Sequence, residues 1–498
     1  MKAGPPFPQK AAHPRVRAGQ VCALLACALQ LTAFVLAVLA MAGPATAQEV
    51  QDDGLRGSIG VPVPGAPAPA ETPDMPLPAD GDDAIPVSAF PSIYSTTLDA
   101  PMASGTNAPQ RLARRRLKTE DDAYAPLGIR AGGFLLRPGS EVSGGYDSNP
   151  GRVKHGKGSA YMQSTSELAF ESDWARHSLS GLLRGGYTAY DKYSEFNAPG
   201  FEGDVTGRFD ASRTTQFTLG LRGSVESEAP GDPETPNGLK ESTLIYGFGG
   251  TAGATWKPNR FSATLETLAD RFVYQDGKLK DGGEVDNGDR DYTAYEVRLR
   301  GGYDVSPALE PFVEVSGDRR IHDRSRDRNG INRDSTGVTG SIGARFIPDE
   351  LISAEGKIGY RFQHPDDDSL ENLTGLVLAG SLVWKATPLT TVRLTADTAF
   401  DETTFADSPG AVTHTASLEV EHSLRRNLIA TARLRGERTD YKGDSRTDTA
   451  YTAELGLEYR LTRSFALTAR AAHEHLHSSE PDDGYTDDRV EVGVKVRR

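Results

Sequence analysis

From Gly132 to Arg498 the chain alternates. About 370 residues read as one repeated device, with strands of roughly ten to fourteen residues joined in strict turn by a short connection and a long polar one. No stretch after Met41 is apolar enough for a membrane helix. Inside a bilayer every backbone polar group needs a partner, so strands can cross only as a closed barrel. Such strands meet lipid with every second residue and need no continuous apolar run. The fold expected is all-β: a transmembrane, antiparallel, up-and-down β-barrel, preceded by a disordered Pro-rich N-terminal arm.

Two segments show the pattern. In Ser178–Tyr190, Leu179, Gly181, Leu183, Gly185, Tyr187 and Ala189 share one face, and Ser178, Ser180, Arg184, Gly186 and Thr188 the other. In Tyr451–Tyr459, Tyr451, Ala453, Leu455, Leu457 and Tyr459 oppose Thr452, Glu454, Gly456 and Glu458. Aromatic residues stand at or near the ends of both apolar rows, as interfacial girdles require. About eighteen such segments follow one another, the first centred near residue 140 and the last near 493. Short connections include Ser172–Arg176, Ser212–Thr215, Lys257–Arg260 and Thr462–Ser464. Long ones include Glu228–Lys240, Gln275–Asp291, Asp323–Ser335 and Ser478–Asp488. An even strand number puts both ends of the barrel on one side, with short turns periplasmic and long loops outside. A soluble β-helix or propeller would need a fixed internal repeat, and none is present.

The N-terminus reads as a targeting segment. Lys2, Lys10, Arg15 and Arg17 precede an apolar run from Val21 to Ala42, and Ala45-Thr46-Ala47 offers a small-x-small cleavage site. Residues 1–47 are thus expected to be a signal peptide, with an uncleaved anchor as the rival. They hold four basic and no acidic residues, so a net charge of −14 becomes −18 after cleavage. That charge argues against nucleic-acid binding. Both cysteines, Cys22 and Cys27, lie in this segment, leaving no thiol, disulfide or Cys-ligated metal in the mature chain. Residues 48–131 are expected to form a disordered Pro/Ala-rich periplasmic segment. Runs such as Val61-Pro62-Val63-Pro64-Gly65-Ala66-Pro67 cannot build a core. A basic patch at Arg111, Arg114, Arg115, Arg116 and Lys118 reads as a solvated linker. The barrel is assigned to 132–498. A mean hydropathy of −0.46 is compatible with it, because a barrel's lumen and loops are polar.

Several stretches carry a resemblance. They are Phe134-Leu135-Leu136-Arg137-Pro138 leading to Gly145-Tyr146-Asp147-Ser148-Asn149-Pro150, Asp173-Trp174-Ala175-Arg176-His177, Pro311-Phe312-Val313-Glu314-Val315 and Ser381-Leu382-Val383-Trp384. Together they resemble an uncharacterised family of Gram-negative outer-membrane β-barrels labelled as porins. The resemblance covers essentially the whole barrel. It implies an integral outer-membrane protein and supplies no catalytic residues. The chain departs from many outer-membrane barrels at its end, Val494-Lys495-Val496-Arg497-Arg498, which lacks a terminal aromatic residue.

The polar face of each strand is assigned to the lumen, since an Arg or Lys facing lipid near the midplane costs about 2–4 kcal/mol. The pore-lining candidates are Arg184, Arg222, Glu296, Arg298, Arg300, Arg393, Arg433 and Glu454, and the same assignment turns Arg361, Arg435, Arg460, Arg470, Glu167, Glu355, Asp397, Glu419, Glu421 and Glu458 inward. Opposed charge ladders would set a transverse field that orients polar solutes. The plainer reading is cross-strand pairing that stabilises a wet wall. Barrels of about 16–18 strands leave an aqueous channel unless plugged. No long loop carries an obvious plug, although Gln275–Asp291 and Asp323–Ser335 have the length to fold inward. An oligosaccharide track would want lumenal aromatics, for which only Tyr161, Tyr190 and Phe312 offer themselves. His473, His475 and His477 share a strand face, where imidazoles can share a metal. The adjacent Asp482 and Asp483 favour a polar strand end instead. Asp366, Asp367 and Asp368 lack EF-hand spacing and read as a solvated loop. No G-x-S-x-G or other nucleophile motif appears, so no enzyme is expected.

The leading expectation is a porin-like channel for small hydrophilic solutes in the outer membrane. The second is a conduit or accessory for exopolysaccharide export, and the third a structural or adhesion barrel. No cofactor and no metal are expected. Expected partners are outer-membrane lipid, the barrel-assembly machinery and, under the second reading, periplasmic export components, with no nucleic acid. The sequence leaves open whether the barrel is a homo-oligomer.

Overall fold

The computed structural model describes residues 124–235 and 238–498. The signal peptide assigned to 1–47 and most of the segment 48–131 lie outside the described residues. A three-residue strand, β1 (Ile129–Ala131), folds onto the next strand through Ala131↔Phe134, so the sheet starts just ahead of Gly132.

The barrel strands then follow: β2 (Phe134–Asp147), β3 (Ser159–Ser172), β4 (Ser178–Tyr190), β5 (Ala198–Asp210), β6 (Thr215–Ser227), β7 (Leu244–Trp256) and β8 (Phe261–Tyr274). A small hairpin in the next loop supplies β9 (Gly277–Lys278) and β10 (Glu284–Val285). The wall resumes with β11 (Tyr292–Tyr303), β12 (Leu309–His322), β13 (Ser335–Phe346), β14 (Ile352–Pro365), β15 (Leu373–Thr387) and β16 (Thr390–Asp401). It ends with β17 (Gly410–Arg425), β18 (Leu428–Lys442), β19 (Thr447–Arg460), β20 (Phe465–Ser478) and β21 (Tyr485–Arg497). Each wall strand pairs antiparallel with its neighbours in sequence, β8 with β11, and β21 returns to β2 from Gly139↔Arg497 to Asp147↔Arg489. The result is a closed barrel of eighteen strands, with β1 as a short addition.

Alternation sets the faces. On β11, Val297 and Leu299 are 52% and 57% exposed, whereas Glu296 and Arg298 between and beside them are 2% and 3%. The apolar row therefore meets lipid and the charged row meets the lumen. Exposed aromatics mark both rims of the apolar band. Phe209, Trp256, Phe261, Tyr303, Trp384 and Phe465 lie beside the short turns, and Tyr146, Tyr187, Phe248, Tyr360 and Tyr451 nearer the long loops.

The wall is not uniformly zipped. Pairing of β15 with β16 runs from Thr387↔Thr390 to Ala379↔Asp397, and Leu373–Leu378 have no partner on β16. The buried apolar clusters sit at this same loop end: Ile245, Phe272, Tyr274 and Tyr292 in one, Leu373, Val377, Phe400 and Val412 in another.

Candidate functional site: a charged lumen under bridged loops

Period-two alternation carries a charge inward on nearly every strand, and register decides which charges meet. Arg298 on β11 donates to Glu296 at 2.8 Å and to Glu266 on β8 at 3.0 Å, and stands 3.7 Å from Glu314 on β12. Arg300 donates to Glu314 at 3.0 Å and to Glu355 at 2.6 Å. The second bond crosses from β11 to β14, a chord over two intervening strands. Lys357 reaches Glu314 at 2.6 Å, and the Arg300 guanidinium lies 3.7 Å from the centre of the Phe312 ring. On the facing arc, Arg393 pairs with Glu419 at 2.6 Å, and Arg433 bridges Glu419 and Glu454, the latter at 2.8 Å. Arg184 lies 3.6 Å from Glu167 and 3.8 Å from Glu202, and Arg222 donates to Asp270 at 2.8 Å.

All eight candidates thus face inward, and each is ion-paired. They fall into separate groups: Glu296, Arg298 and Arg300 together, Arg393, Arg433 and Glu454 together, Arg184 and Arg222 each apart. Other charges that alternation assigns to the lumen are paired in the same way. Arg470 binds Glu141 and Glu491 across the closing strands, and Glu458 collects Arg460 and Arg497 at 2.8 Å each, with Lys495 at 3.7 Å. A cavity of about 100 Å³ opens among Glu141, Tyr161, Glu421, Arg433, Glu454 and Lys495.

The long loops close over one end. Arg290, from the loop after β10, binds Glu228 and lies 3.5 Å from Glu234, both in the loop after β6. Glu234 in turn accepts the backbone N–H of Thr404 at 3.1 Å. Arg333 donates to the Phe405 carbonyl at 2.8 Å and to Asp327 at 2.8 Å, and Asn329 donates to the Thr404 carbonyl at 2.9 Å. Arg320 on β12 pairs with Glu402. Gly231, at φ +79°, presses its backbone against the Arg152 carbonyl, where no side chain would fit. A cavity of about 80 Å³ remains under these loops, bounded by Tyr274, Arg290, Asp401, Glu402 and Tyr441. The two loops judged long enough to fold inward, Gln275–Asp291 and Asp323–Ser335, do so. The loop after β16 completes the bridge, and its eight residues gave no signal of it.

Asp232 lies in this bridge. Burial raises its carboxyl, the charges of Glu234 and Glu228 raise it further, and the Glu234 N–H and Arg290 oppose them; it stands at about 7.

The remaining candidates are placed more simply. Tyr161 and Tyr190 turn inward with ring centres 5.7 Å apart, donating to Glu491 and Asp147. Phe312 sits apart, under Arg300. His473 hydrogen-bonds Asp488 at 2.7 Å and His475 hydrogen-bonds Thr486 at 3.0 Å, both on the outer face. Asp366 pairs with Arg319 at 2.6 Å, and Asp367 accepts the Asn332 N–H at 3.0 Å. No group of three or more potential metal ligands occurs among the described residues.

No curated protein matches the chain at a significant level. Solved structures match at low similarity. The copper transporter OprC has a TM-score of 0.40 at 10% identity, covering 74% of this chain and 81% of its own. OccAB4 of Acinetobacter baumannii has a TM-score of 0.37 at 10% identity, covering 73% and 98%. OccK3 (OpdO) of Pseudomonas aeruginosa has a TM-score of 0.36 at 11% identity, covering 73% and 95%. The family profile described as "Putative beta-barrel porin 2" matches residues 122–498, the whole barrel and its approach. The chain belongs to that family, an outer-membrane β-barrel of porin type.

Proposed function

We propose that the barrel is a channel for small hydrophilic solutes, weakly selective and gated by its loops. The observation that carries the reading is the inward face. It is charged and polar around the whole circumference while the outward face is apolar, and eighteen strands enclose enough width for water. Because nearly every inward charge has an opposite partner, the lumen offers a transverse field rather than one net sign. Such a passage orients dipolar solutes and discriminates weakly between ions. The bridged loops make its resting conductance small.

Reconstituted full-length protein in planar bilayers tests this. Ion conductance is expected, and liposome swelling should fall off as the test sugars grow. Arg433→Ala takes from Glu419, and from Glu454 on the cavity wall, their shared cation, so the reversal potential should shift toward cations. Folded protein that neither conducts nor swells liposomes would overturn the channel reading.

A further inference from the structure

The inward face of the wall is crowded almost all the way round. Among the described residues, the inward side chains that stand exposed between the strand ends are Glu202, Thr206 and Arg208 on β5 and Thr395 on β16. Glu202 and Arg208 are 50% and 47% exposed, against 3% for Arg298 and 4% for Glu314. β5 and β16 face each other: eight wall strands separate them in either direction round the ring. In the rows of Thr206 and Arg208, the neighbouring β6 and β7 offer only Thr218, Gly220, Thr251 and Gly253, too short to fill the bore.

The two sides of this open track differ in charge. On β5 each exposed charge has an opposite neighbour: Glu202 lies 3.8 Å from Arg184, and Arg208 lies 3.5 Å from Asp210. On β16, two residues nearer the loops than Thr395, stands Asp397. No basic side chain of the described residues forms an ion pair with it, and its Oδ1 accepts no hydrogen bond. The cations around it are engaged elsewhere. Arg393 holds Glu419 at 2.6 Å, and Arg435 holds Glu437 at 3.0 Å. Lys357, which acts on Asp397 from two strands away, holds Glu314 at 2.6 Å. Beside the carboxylate runs a row of hydroxyls: Ser381, Thr395 and Ser417 are neighbours in register on β15, β16 and β17. The hydroxyls of Thr395 and Ser417 lie 2.6 Å apart, and Ser381 Oγ is buried without a partner. A carboxylate among hydroxyl oxygens, with no counter-ion of its own, offers ligands to a small cation and repels an anion.

We propose that the passage runs between β5 and β16, and that Asp397, with the Thr395 and Ser417 hydroxyls beside it, is a transient cation site that admits small monovalent cations ahead of anions of the same size. The inference rests on the channel reading and sharpens it. The ion-paired arcs are wall, and the resting selectivity of the intact pore is set at one carboxylate. The ligand class is a monovalent cation that sheds part of its water, an alkali metal ion or a primary ammonium group, held weakly enough to leave again.

The test uses the full-length protein in planar bilayers under a gradient of potassium chloride. The wild-type barrel should pass potassium several-fold more readily than chloride. Asp397→Asn, nearly the same size, should bring that permeability ratio close to one in a barrel that stays heat-modifiable, and Asp397→Glu should keep the preference. A ratio that Asp397→Asn leaves unchanged overturns the proposal. Should the Asn variant fail to fold, thiols decide, in a mature chain expected to have no other. Thr395→Cys should react several-fold faster with a cationic methanethiosulfonate than with an anionic one of similar size, and modification there or at Thr206→Cys should lower the conductance. Equal rates, or modification that leaves the current untouched, overturn the proposal. Folded wild-type protein that conducts nothing fails the channel reading and this one with it, whereas conductance without a cation preference fails this one alone.

Discussion

Arg298 holds Glu266, Glu296 and Glu314 within reach of one guanidinium, and its side chain is 3% exposed. Removing the cation takes the shared guanidinium from Glu266 and Glu296 in a poorly solvated wall, while Glu314 keeps Arg300 and Lys357. Breaking a buried pair by deleting one partner costs about 3–5 kcal/mol, much of it the stranded charge. Arg298→Ala should therefore lower the midpoint of urea unfolding in detergent by an amount in that range. Restoring neutrality with Glu296→Gln in the same chain should recover part of it. An unchanged midpoint would mean that water or ions already screen the cluster. The direction in which each of these residues points was legible in the sequence, because the side-chain period of a strand is two. Their partners were less so. The bond from Arg300 to Glu355 depends on wall curvature and on the stagger of four strands, and neither leaves a mark on local sequence.

Strands and short turns were legible for the same reason: each of the eighteen segments expected from alternation corresponds to one strand of the wall. The break between β15 and β16 was not, since nothing in the composition of Leu373–Leu378 sets it apart from other strand ends. Nor was the meeting of the loops. Arg290, Arg333 and Glu234 look like solvated loop charges until loops far apart in sequence are brought together. Asp232 makes that meeting sensitive to pH. Its carboxyl, at about 7 in the packed loops, has an ordinary value of 3.8 when released. The packed arrangement is thus favoured where Asp232 is protonated. That advantage is complete below about pH 4 and is lost as pH rises through 7. Conductance should accordingly increase between pH 5 and pH 8. Asp232→Asn, neutral throughout, should flatten that rise, and a mutant that keeps it would assign the effect to another group.

At the scale of the molecule, closure rests on β2 meeting β21, with Arg497 also donating to the Tyr124 carbonyl ahead of β1 at 3.4 Å. Deleting residues 48–110 while keeping the targeting segment should leave a heat-modifiable outer-membrane barrel, checked by the mobility difference between unheated and boiled samples. Loss of assembly would reveal an insertion role for the arm. The same closure has a consequence for synthesis. The first wall strand finds its second neighbour only when the last wall strand, Tyr485–Arg497, has been made. Until then the sheet has two raw edges, and Glu458 lacks Lys495 and Arg497. A chain cut short by even one strand cannot become a ring, whatever the quality of the rest. The last wall strand therefore serves as a check that every strand of the ring has been made. Nonsense mutations late in the reading frame should behave as null alleles, their products cleared by periplasmic proteases instead of lingering as leaky barrels.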